Sequence, residues 1–78
     1  MIYFDPTSNQ DKPNFARWLL AQMKRDDMIG ELARAGHRDP KFPIDGDVQD
    51  VAVRLSKLEA DPDMHIALED AELDWAAH

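Results

Sequence analysis

The sequence predicts an all-α protein, a compact bundle of four to five helices preceded by an N-terminal arm. Three observations carry that reading. Apolar residues recur at i, i+3, i+4 and i+7 in successive stretches. Aspartates, glycines and prolines stand where those stretches begin and end. No run alternates apolar and polar residues as a half-buried strand does.

Residues 1–12 read as the arm, and residues 13–78 as a single helical domain. Ile2, Tyr3 and Phe4 are large and apolar, and Asp5-Pro6-Thr7-Ser8-Asn9-Gln10 is polar and turn-forming. Three large apolar side chains in a row favour docking on the domain or on a partner.

The first helix is expected over Pro13 to Lys24, with Asp11 or Asn14 as cap. Phe15, Trp18, Leu19, Gln22 and Met23 fall on one face. The second is expected over Asp27 to His37, capped by Asp26 or Asp27. Ile29, Leu32, Ala33 and Gly36 would face inward. Gly30 within it points to a close backbone approach, expected from the first helix, and Gly36 to a left-handed stop. Asp39-Pro40-Lys41-Phe42-Pro43 cannot continue a helix, because each proline lacks an amide proton. Phe42 between the prolines is expected to plug the core.

The third helix is expected over Asp47 to Glu59, capped by Asp47, with Val48, Val51, Ala52, Leu55 and Leu58 inward. The fourth starts with Asp61 as cap and Pro62 at the first position, and runs to about Ala76. Met64, Ala67, Leu68, Ala71 and Trp75 share one face, while Ile66 and Leu73 point the other way. A helix apolar on two sides is either sandwiched or carries an interaction strip. The arm is one candidate cover for that second side. The expected core is Phe15, Trp18, Leu19, Ile29, Leu32, Phe42, Val51, Leu55, Leu68 and Trp75.

The 78 residues suffice for one domain with a thin core. With no cysteine, disulfides and thiolate metal sites are excluded, and the composition fits a cytoplasmic protein. The N-terminus has no basic region of a signal peptide, and no apolar run approaches the roughly 20 residues of a membrane span.

The net charge is −7, unevenly placed. Residues 1–57 hold all nine Lys and Arg and nine acids, so they sum to zero. Residues 58–78 hold the other seven acids, Glu59, Asp61, Asp63, Glu69, Asp70, Glu72 and Asp74, and no Lys or Arg. Such a segment repels phosphate backbones and anionic membranes and attracts basic partners. A solvated helix face that aids solubility is the plainer account of it.

The stretch from Phe15 to Leu55 resembles the YozE-type family of small bacterial proteins with a sterile-alpha-motif-like (SAM-like) fold. The shared marks are Phe15, Trp18-Leu19 and Gln22, then Arg25-Asp26-Asp27, Ile29-Gly30 and Leu32-Ala33, then Asp39 with Phe42-Pro43. The chain departs from the family pattern at Ala16, Met28 and Arg54. Its tail with Ala67-Leu68, Ala71 and Trp75 looks like an extension of some longer members. The resemblance implies a four- or five-helix domain and no particular activity. SAM-like folds serve as protein-interaction modules and in some cases bind nucleic acid.

No catalytic constellation stands out. His37, His65 and His78 have no histidine at i+4, and a zinc site needs three or four converging ligands. Asp45-Gly46-Asp47-Val48-Gln49-Asp50 lacks the acid spacing and closing glutamate of an EF-hand loop, and a turn followed by a cap explains it. Asp26 and Asp27, as neighbours on a helix, point about 100° apart and share no site. The three glycines form no phosphate loop, and neither an enzyme nor a cofactor is expected.

Arg17, Lys24, Arg25, Arg34, Arg38 and Lys41 form a candidate basic face on the first two helices. Asp26, Asp27, Glu31 and Asp39 interleave with them, which makes direct nucleic-acid binding a weak alternative. The leading expectation is a small non-catalytic module that binds a protein partner or itself. Glu69, Asp70, Glu72 and Asp74 are its candidate contacts, with Ile66 and Leu73 as apolar anchors. The contrast between basic and acidic helices suits head-to-tail self-association or an oppositely charged partner. The alternative is an acidic nucleic-acid mimic, an inhibitor of a nuclease or CRISPR effector of phage or mobile-element type.

Overall fold

The computed structural model describes residues 14–77. It is all-α, with α1 over Phe15–Leu20, α2 over Met28–Arg38, α3 over Val48–Lys57 and α4 over Pro62–Ala76. The arm, the Asp11 cap and His78 lie outside the described residues.

α4 touches each of the other three helices, and its most extensive contact is with α2. Its inner face is built of Ala67, Leu68 and Ala71, all buried. Small side chains there let the neighbouring helices come close. Phe15, Leu19, Leu32 and Val51 are the largest fully buried side chains. Each is worth about 1.5–3 kcal/mol relative to exposure. Trp18, Ile29, Leu55 and Phe42 complete the core, so Phe42 does plug it from the turn between α2 and α3. Trp75 is only half-buried and sits at the core's edge. Its ring meets Phe15 edge to face at 5.7 Å, the arrangement that ring quadrupoles favour.

α1 is shorter than its apolar pattern suggests. It stops at Leu20, and Ala21 to Lys24 form a turn, leaving Met23 exposed. Side chains of α2 hold its end. Arg34 Nη1 donates to the Met23 carbonyl at 2.7 Å and to the Arg25 carbonyl at 3.1 Å. His37 Nε2 lies 2.9 Å from the Leu20 carbonyl oxygen and donates to it. Carbonyls at and just past the end of α1 are thus satisfied by side chains of another helix. At the other end Asn14 is the N-cap residue, but its side chain makes no capping bond. Its amide nitrogen donates to the Ile44 and Gly46 carbonyls and ties α1 to that turn.

α2 and α3 begin as their caps dictate. Asp27 Oδ1 accepts from the Gly30 amide at 3.0 Å. Asp47 and Asp50 exchange bonds in a capping box. Asp61 precedes α4 without a side-chain capping bond, and Pro62 alone marks that start.

The glycines act differently from the expectation. The backbone against Gly30 is not α1 but the loop after it, for a Cβ there would collide with the Arg25 carbonyl. Gly36 does not stop α2, which continues to Arg38. It makes room for Leu20 and Phe42, whose atoms would lie 2.9 and 3.1 Å from an added Cβ. The left-handed residue is Glu59, with φ of 55°. It closes α3 in a Schellman motif, with Glu59 N bonded to Ser56 O and Ala60 N to Leu55 O. The helix has ended before Leu58 can turn inward, and that side chain is 50 % exposed.

Candidate acidic helix face

All of the candidate contact residues but Asp74 lie on the side of α4 that the other described helices leave uncovered. Residues on a helix advance by about 100° each, so packing Ala67, Leu68 and Ala71 inward turns Ile66, Glu69, Asp70 and Leu73 outward. Leu73 is 70 % exposed and Ile66 56 %, the two most exposed large apolar side chains among the described residues. They stand seven residues apart, with Glu69 and Asp70 between them on the same stripe. Glu72 is exposed on one flank of the stripe and Asp74 lies on the other.

Asp74 is engaged within the molecule. Arg25 Nη1 donates to its Oδ2 at 2.9 Å, and Arg25 Nη2 donates to Asp27 Oδ2 at 2.9 Å. One guanidinium thus bridges the N-cap of α2 and the last turns of α4. The Asp74 and Asp27 hydrogen bonds raise the Arg25 pKa above its ordinary value. The Gly30 amide, then Arg25, pull the Asp27 carboxyl below its own. Beside this bridge lies an open groove of about 410 Å³, walled by Met28 and Ile29 of α2 and by Asp70, Leu73 and Asp74 of α4. Glu69, Asp70 and Glu72 make no ion pair among the described residues.

Three of the six cations of the candidate basic face are engaged within the molecule. Arg17 pairs with Asp45, Arg25 with Asp27 and Asp74, and Arg34 binds two carbonyls. Lys24, Arg38 and Lys41 are exposed. The least exposed ion pair among the described residues joins residues that the sequence did not mark as partners. Arg54 and Asp39 meet in two parallel bonds, and only 9 % of the Asp39 side chain is exposed. The acid and the base stand fifteen residues apart, and no local pattern signals that pairing.

Among the described residues no three His, Asp or Glu side chains converge as metal ligands. No described helix is long and apolar enough to cross a membrane. Compared with models of known families, with curated proteins and with solved structures, the chain shows no significant match.

Proposed function

We propose that the chain is a small non-catalytic interaction module that captures a protein partner, or a second copy of itself, through the outer face of α4. The single observation behind this reading is the Ile66–Glu69–Asp70–Leu73 stripe. A helix central to the fold spends its inner face on the core and still carries two large apolar side chains in water. Acids that make no ion pair among the described residues stand between and beside them. Exposed apolar side chains interleaved with acids of one sign suit a partner that offers both apolar contact and opposite charge. The resemblance to the SAM-like YozE-type family supports the same reading, since such folds serve as interaction modules.

The test uses a tagged chain and a nuclease-treated bacterial lysate, with retained proteins identified by mass spectrometry. Glu69→Lys with Asp70→Lys is expected to release the partner while leaving the melting temperature within a few degrees. A double variant that holds the same partner as strongly would refute the reading.

A second reading is an acidic nucleic-acid mimic that occupies the basic groove of a nuclease or CRISPR effector. The absence of any Lys or Arg from residues 58–78 favours it. The retained protein would then be a nucleic-acid-binding one, displaced by DNA or RNA and released steeply by salt.

A further inference from the structure

The geometry points to an amphipathic basic helix of a partner protein as the occupant of the α4 face. It would lie along the Ile66–Leu73 line with its cations against Glu69 and Asp70. This rests on the reading of α4 as the contact surface and names the chemistry of what it binds.

Spacing selects a helix. Ile66 and Leu73 are seven residues apart, so their Cα atoms stand about 10.5 Å apart along the axis. A second helix with apolar residues seven apart presents the same interval on one side and keeps it in register at a shallow crossing angle. An extended segment repeats on one face about every 6.8 Å and misses that interval. It also gains no backbone pairing, because a helix offers no open sheet edge.

Charge selects the sign. Between the apolar anchors stand Glu69 and Asp70, flanked by Glu72, and residues 58–78 contain no Lys or Arg to offset them. A matching helix carries Lys or Arg three and four residues after its first apolar anchor. A symmetric pair of α4 faces would set acids against acids, which opposes a two-fold dimer on this surface. Phosphate backbones and anionic lipid are repelled by the same field.

The neighbouring groove sets the side on which the partner seats. Leu73 and Asp70 belong both to the stripe and to the groove, and Met28 forms the far wall. A helix on the stripe has room for one edge there, where Met28 and Leu73 are both accessible to apolar side chains.

The test titrates the full-length ¹⁵N-labelled chain with two synthetic helical peptides of one composition. The first has leucines seven apart with lysines three and four residues after the first leucine. The second keeps the lysines and moves one leucine to the opposite face. The first peptide is expected to bind at least about tenfold more tightly, a difference of about 1.4 kcal/mol. Its amide shifts should be centred on Ile66 to Asp74 and on Met28. Ile66→Ala with Leu73→Ala should erase the preference between peptides, whereas Val53→Ala on α3 should leave it unchanged.

Equal affinity for the two peptides, or shifts centred away from α4, would overturn the helical occupant. So would self-association of the free chain abolished by Leu73→Ala, which would assign the face to a second copy. Equal peptide affinities alongside lysate capture that still depends on Glu69 and Asp70 would defeat this inference and leave the contact-surface reading standing. Capture indifferent to those acids would defeat that reading itself.

Discussion

Arg54 grips Asp39 through two parallel hydrogen bonds, Nε to Oδ2 and Nη2 to Oδ1, each 2.7 Å. Asp39 Oδ1 also accepts from the Lys41 amide at 3.0 Å, so one carboxylate orders the turn after α2 and fastens it to α3. The planar guanidinium matches the carboxylate in a way that a lysine ammonium does not.

This pair gives the fold an acid-sensitive point. The Arg54 hydrogen bonds, then the Lys41 amide, lower the Asp39 pKa from its ordinary 3.8 to about 2. A native pKa below the unfolded one means that the unfolded chain binds more protons in that interval. The stabilisation is complete above the ordinary value and is lost as pH falls through about 2. Arg54→Met should lower the melting temperature at neutral pH. It should also flatten the decline on acidification, as followed by circular dichroism melts between about pH 5 and pH 2.

Gly30→Ala is expected to destabilise. The added methyl would strike the Arg25 carbonyl, which is backbone and which Arg34 also holds. Overpacking costs about 1–3 kcal/mol, against about 1 kcal/mol regained in helix propensity. Urea denaturation would show it as a lower midpoint. An unchanged or higher midpoint would mean that the loop yields easily.

Glu59→Gly should act in the opposite sense. Glu59 holds φ of 55° with a side chain that disfavours it. Left-handed geometry costs such a residue about 1–2 kcal/mol, and glycine gives back about 0.5–1 kcal/mol in unfolded-chain entropy. The net gain of about 0.5–1 kcal/mol corresponds to a melting temperature several degrees higher.

The two aspartates before α3 and α4 should separate on mutation. Asp47→Ala removes a capping bond and breaks the box with Asp50, at a cost of about 1 kcal/mol. Asp61 makes no capping bond, so Asp61→Ala should change stability by no more than about 0.5 kcal/mol. Parallel thermal melts of the two variants decide this.

The sequence by itself determined the all-α class, the starts of α2, α3 and α4 to within a residue, and nearly all of the core. Those features rest on local physics. Apolar period, an aspartate beside free amides and a proline without a donor act over a few neighbouring residues. Phe15, Leu32 and Val51 therefore announce their burial in the sequence, as Asp27 and Asp47 announce their caps. The opposed apolar sides of α4 were legible for the same reason, since Ile66 and Leu73 fall out of phase with Ala67, Leu68 and Ala71.

Only the tertiary structure decided where α1 ends, why Gly36 is a glycine, and which charges meet. Arg34 and His37 bind the Met23 and Leu20 carbonyls, at and just past the end of α1, from another helix. Leu20 and Phe42 crowd Gly36 from outside α2. Arg25 reaches Asp74 across 49 residues, and Arg54 reaches Asp39 across 15. Each of these needs the chain to have closed before the partners are neighbours. A long-range contact of this kind leaves no periodic trace in the sequence, because its geometry exists only once the helices have packed.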